Sequence, residues 1–142
     1  MIILDIMLKI INQINKDENC RYSYFKVTKP HLEAIVGNEL VMQKKINLSI
    51  QLPEDRNSLL VVHSDVWAGD SPFEIVVWLP LVNCFRTKTM YILPPNKNDK
   101  FNKKVSKVRY SDNEKVYQLI KKDVKWIKIN YGQVLIFNQS LP

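Results

Sequence analysis

Cysteine is scarce in this chain: Cys20 and Cys84 are the only two, far apart and without CxxC spacing. That excludes a disulfide framework and a thiolate metal site, and it suits a reducing cytoplasm. Histidine is equally scarce, with His31 and His63 alone. A pocket built on several histidine bases, as in a cupin-like sugar isomerase or epimerase, ranks last for that reason. Long hydrophobic runs are missing too. Residues 1–14 are apolar but carry Asp5, Lys9, Asn12 and Gln13, with no basic n-region and no small-residue cleavage site. The segment reads as neither a signal peptide nor a membrane span. Gly (3) and Pro (7) are few and 46% of residues are hydrophobic, which does not describe a disordered chain.

The 142 residues suffice for one domain with a real core. The balance is basic, formally +7. Lysine is spread along the sequence together with abundant Asn and Ile, as an AT-rich genome writes it. The one local basic stretch, Lys97, Lys100, Lys103, Lys104, Lys107 and Arg109, lies among Asn96, Asn98, Asp99 and Asn102. It reads as a solvated loop or hairpin rather than a phosphate-binding surface, so no nucleic-acid partner and no membrane partner is expected.

Periodicity organises the rest. Ile3, Ile6, Met7, Ile10, Ile11 and Ile14 recur at helical spacing and predict an amphipathic N-terminal helix. Tyr22–Val27 predicts a short strand, and Pro30–Val36 a short helix stopped by Gly37. Ile46, Leu48, Ile50 and Leu52 alternate with polar residues, a half-buried strand, and Pro53–Asn57 is a turn. Ser58–Asp65 predicts a strand apolar on both faces at Leu59–Val62, hence buried between layers. Further strands are predicted at 73–82, 89–93, 124–129 and 133–137, with a helix at 112–122 carrying Val116, Leu119 and Ile120 on one side. Pro80 marks an edge or bulge. The expectation is a mainly β fold, a jelly roll with small helical additions, divided as a helical part at 1–38 and jelly-roll strands at 39–142.

Chemistry concentrates in His63-Ser64-Asp65. On a strand, residues two apart share a face, so the imidazole and the carboxylate can reach one ion. A second histidine from elsewhere would complete the facial triad of a non-haem Fe(II) oxygenase. The turn Ala68-Gly69-Asp70-Ser71-Pro72 follows directly, and residues 67–72 are the expected place for substrate contact.

The run from His63 through Trp67, Gly69, Phe73, Trp78-Leu79-Pro80 and Met90-Tyr91-Ile92-Leu93-Pro94 resembles the Fe(II)/2-oxoglutarate oxygenases of the phytanoyl-CoA dioxygenase type. It is most similar to the branch found in sporadic bacterial carbohydrate-biosynthesis clusters. The resemblance covers roughly the second half of the chain. It implies a double-stranded β-helix (a clavaminate synthase-like jelly roll), Fe(II) held by His63 and Asp65, and 2-oxoglutarate as cosubstrate. The implied reaction couples 2-oxoglutarate decarboxylation to hydroxylation of a small metabolite, such as a sugar or sugar nucleotide. Tyr91 and Asn83 are the candidates for contact with the cosubstrate, and Lys88 is a further pocket candidate.

The segment Gly132-Gln133-Val134-Leu135-Ile136-Phe137 to Leu141-Pro142 resembles the family's lead-in to its distal histidine. The resemblance places that histidine directly after Leu-Pro, and an arginine for 2-oxoglutarate further on. The chain is therefore expected to be a truncated or split oxygenase, lacking its last strands, binding Fe(II) weakly and open to association through an unpaired sheet edge. The competing expectation is a non-catalytic jelly-roll module that binds a carbohydrate or a partner.

Overall fold

The computed structural model describes residues 2–52, 54–55, 59–105 and 112–140. The chain divides into two compact units, 1–59 and 60–142.

The first unit is built on two helices, α1 (Ile2–Lys16) and α2 (Glu18–Val36). Met7, Ile11 and Ile14 of α1 are half-buried while Ile6 and Ile10 face solvent; the side chain of Ile3 lies outside the described residues. Asp17 separates the helices. Its carboxylate accepts from the backbone N–H groups of Asn19 (2.9 Å) and Cys20 (3.2 Å), satisfying two donors that a helix start leaves open. That cap nucleates α2 upstream of the predicted strand, so Tyr22–Val27 becomes helical despite its aromatic, β-favouring composition. The helix runs through Pro30, giving up one backbone donor, and ends at Gly37, whose φ of 89° suits glycine.

Residues 46–52 alternate half-buried and exposed as their sequence does, yet they form no ladder among the described residues. Ile46 instead pairs with a side chain. Asn15 Oδ1 accepts from its N–H at 2.7 Å, and Asn15 Nδ2 donates to its carbonyl at 3.0 Å. The predicted turn residues Pro53, Arg56 and Asn57 lie outside the described residues, as do Ser58, Lys107 and Arg109.

The second unit carries a short helix α3 (Asp65–Ala68), two small antiparallel sheets and two further helices. Strand β1 (Ile75–Trp78) pairs with β4 (Leu135–Asn138), Ile75 opposite Asn138 and Trp78 opposite Leu135. Strand β2 (Tyr91–Ile92) pairs with β3 (Lys125–Trp126), and Cys84 bridges to Ile129 nearby. A 3-10 turn (Pro95–Lys97) leads into α4 (Asn98–Val105), and α5 (Asn113–Ile120) follows. The basic stretch predicted as a loop or hairpin is thus largely helical over its described part. Asn98–Val105 closes into a helix because Phe101 and Val105, four apart, bury one stripe.

Two apolar clusters hold this unit. Val62, Leu93, Phe101, Val105, Val116 and Ile120 form the larger. Cys84, Ile127 and Ile129 form the smaller, with Trp78 and Leu135 against it.

The architecture corrects the expected double-stranded β-helix. The described residues form five α-helices and only four short strands, the strands in two separate two-stranded sheets. Alternation marks which face of a segment is wet, but a sheet also requires neighbouring backbones in register. Segments 22–27 and 98–105 close their hydrogen bonds locally, and 46–52 and 59–64 find no ladder among the described residues. Leu59, Leu60 and Val61, predicted as buried between layers, are more than half exposed, and only Val62 enters the core.

Candidate metal centre

Residues 61–64 belong to no described strand and bend at Val62, Ser64 is extended, and Asp65 begins α3. Ser64, at the helix cap with φ −129° and ψ 134°, retains the alternation of a strand. His63 and Asp65 therefore emerge on one side while Ser64 turns inward, 3% exposed, where its hydroxyl donates to the Gln139 carbonyl at 2.7 Å. Trp67, one turn into α3, stacks on Phe101 of α4 with ring centroids 6.0 Å apart. Gly69 closes α3 at φ 105°, a conformation that favours glycine.

The imidazole is oriented by the backbone. His63 Nδ1 lies 2.7 Å from the Val61 carbonyl oxygen. A carbonyl only accepts, so Nδ1 carries the proton and donates, leaving the Nε2 lone pair available in the neutral ring. That nitrogen stands 3.5 Å from Asp65 Oδ1, and both side chains are solvent-accessible, 50% and 39% exposed. Two donors at about 2.1 Å from one ion are about 3.0 Å apart at a right angle and about 3.4 Å apart at a tetrahedral angle. The pair fits a shared cation with little adjustment. A histidine ligand whose other nitrogen is bonded to a carbonyl is also the usual outer-shell arrangement of metal sites.

A network fixes the floor of this site. Gln139, 5% exposed, donates through Nε2 to the Ser71 carbonyl (2.8 Å) and to Glu74 Oε2 (3.1 Å). Its own carbonyl receives Ser64. The end of β4 is thereby bonded to both the residue between the two candidate ligands and the loop that follows them. The strand alternation turns Ser64 away from the pair, as found, but its bond to Gln139 and the roles of Glu74 and Gln139 were not legible; a polar Gln just past an apolar strand was the only signal.

No protein-family model, no curated protein and no solved structure matches this chain.

The other candidates sit elsewhere. Tyr91 packs in β2, its ring 5.0 Å from Trp126 edge-on and 5.6 Å from Tyr117, and burial, then Tyr117 and Glu114, push its phenol above the ordinary value. Asn83 Oδ1 accepts from the Tyr131 N–H at 2.8 Å, which makes it a loop brace beside the smaller cluster. Lys88 lies over the Phe85 ring at 4.5 Å. His31 is exposed on α2, in the other unit. Among the described residues, no group of three His, Cys, Asp or Glu side chains gathers around one point. No helix among them is long and apolar enough to cross a membrane.

Proposed function

We propose that His63 and Asp65 hold Fe(II) in a 2-oxoglutarate-dependent oxygenase that hydroxylates a small metabolite, a sugar or sugar nucleotide in surface carbohydrate biosynthesis. The observation that carries this reading is the imidazole itself. Its Nδ1–H is committed to Val61, and its free nitrogen stands 3.5 Å from a carboxylate oxygen on the same side of the chain. When bound, the metal supplies oxygen activation coupled to 2-oxoglutarate decarboxylation. The residues named here bind and orient it, Val61 setting the ring and Ser64 anchoring the backbone between the two donors.

A facial set takes one more nitrogen donor. Among the described residues no third His, Cys, Asp or Glu side chain joins the pair around one point. The two free thiols, Cys20 and Cys84, fit the cytoplasm, where Fe(II) stays reduced.

Manganese(II) serves as a redox-inert probe. Titration followed by the loss of the free-ion electron paramagnetic resonance signal should show saturable uptake, weakened at least tenfold by His63→Ala and by Asp65→Ala. Under anaerobic conditions, Fe(II) with 2-oxoglutarate should give a weak charge-transfer band in the green that His63→Ala removes. Variants that bind Mn(II) as the parent does, with their fold intact by circular dichroism, would sink the proposal.

A further inference from the structure

The excess charge of this protein is concentrated. Residues 97–128 hold eleven Lys and Arg against four Asp and Glu, as large a surplus as the +7 of the whole chain. Within that segment the described carboxylates are largely engaged. Asp112 pairs with Lys115 at 2.7 Å, and Glu114 accepts from Gln118 at 2.6 Å. Asp123, only 15% exposed, meets Lys100 at 2.6 Å through Oδ2 and Lys97 at 3.7 Å through Oδ1. The Lys100 hydrogen bond and then the charges of Lys100, Lys97 and Lys104 hold its carboxyl below the ordinary value.

Helical geometry explains the gathering. At 3.6 residues per turn, positions 100 and 104 of α4 fall about 40° apart, flanking the buried stripe of Phe101 and Val105, and the 3-10 turn before α4 brings Lys97 to the same carboxylate. Two ammonium groups, those of Lys97 and Lys100, thus meet one carboxylate, and with Lys104 on the same side of α4 the three lysines exceed it by two positive charges. Like charges at this spacing repel, so the cluster favours a multivalent anion over separate chloride ions. Lysine binds phosphate as a compact point charge with rotatable donors, which suits an accessible group on a flexible ligand. The Trp67–Phe101 stack buttresses this helix against the one that begins at Asp65.

We propose that Lys97 and Lys100, paired with Asp123, and Lys104 on the same side of α4 form an anion site that takes the phosphate group of a phosphorylated small molecule. In naming a phosphorylated substrate class, this inference rests on the oxygenase reading above. Asp123 acts as an internal competitor: it holds the ammonium groups in place and gives them up, in part, to the incoming phosphate.

Inorganic phosphate is the probe, titrated into metal-free protein at low ionic strength and followed by phosphorus-31 NMR. Saturable binding is expected, weakened at least fivefold in the Lys97→Gln/Lys100→Gln double variant. Asp123→Asn removes the competitor and should tighten binding several-fold. Asp99→Asn makes the same charge change on another side of α4 and should leave it unchanged. Absence of saturable binding overturns the site, and so does an equal response of the two Asp→Asn variants. Binding of a single-stranded oligonucleotide without binding of phosphate overturns it in favour of a polyanion surface. Mn(II) uptake, measured separately, keeps the two readings apart. Phosphate binding in a chain that takes up no Mn(II) supports the anion site and removes the oxygenase reading; the converse removes the anion site alone.

Discussion

The hydroxyl of Ser64 donates to the carbonyl of Gln139 across 75 residues of sequence, and both residues are almost fully buried. This bond joins the end of β4 to the turn that presents His63 and Asp65. A buried carbonyl left without a donor costs about 1–3 kcal/mol. Ser64→Ala should therefore lower unfolding stability by that amount in urea titrations. It should also weaken Mn(II) uptake, because the backbone between the two donors loses its anchor. Thr at this position retains the hydroxyl and should recover much of both losses.

Gly69 ends α3 at φ 105°, and beyond its own chain neighbours no described atom lies within 4 Å of where a Cβ would stand. The cost of a side chain here is therefore backbone strain alone. Gly69→Ala is expected to destabilise by about 1–2 kcal/mol, and Gly69→Asn by less, since Asn tolerates left-handed conformations. Thermal denaturation of the two variants side by side tests the ordering. Equal losses would point to lost space rather than strain.

Local signals were legible where the chain satisfies itself locally. Val116 and Ile120 are spaced for a helix and are buried on α5, capped by Asp112. The predicted strands at 73–82 and 133–137 contain the β1 and β4 cores and pair with each other. What sequence could not show is partnership. Residues 46–52 alternate as a strand does, but their visible partner is the side chain of Asn15 rather than a neighbouring ladder. Tyr22–Val27 carries strand-favouring residues, yet the Asp17 cap five positions upstream commits it to helix. The same distinction runs through the site. His63 and Asp65 announce themselves by spacing, whereas Val61, Ser64 and Gln139 contribute backbone carbonyls or a buried bond that no residue pattern encodes.

Tyr91 separates packing from cosubstrate contact. Its ring lies between Trp126 and Tyr117, and its phenol is shifted upward by burial, so it remains neutral at physiological pH. Tyr91→Phe keeps the ring contacts and should leave stability within about 0.5 kcal/mol of the parent. Tyr91→Ala should cost about 3 kcal/mol in the same urea titration, as expected for deleting a partly buried aromatic ring. If Tyr91→Phe instead weakens the Fe(II)/2-oxoglutarate band with stability unchanged, the hydroxyl reaches the cosubstrate.

Acid should weaken the second unit in part through Asp123 and Asp112. Both carboxyls sit below their ordinary value of 3.8, Asp123 chiefly through the Lys100 hydrogen bond and Asp112 through its bonds to Lys115. A carboxyl that binds its proton less readily when folded than when unfolded stabilises the fold above the unfolded value. That contribution disappears as pH falls through the depressed folded value. The contribution of these two groups to the midpoint of urea unfolding should therefore hold steady from neutrality down to about pH 5, then decline below about pH 4. Asp123→Asn removes one of the two titrations. It should lower stability at neutral pH, where the Lys97 and Lys100 pairs are lost, and flatten the acid limb, so that the variant and parent curves converge at low pH. Parallel curves across the whole range would mean that Asp123 titrates alike in both states, and that the lysines around it contribute no charge-dependent stability.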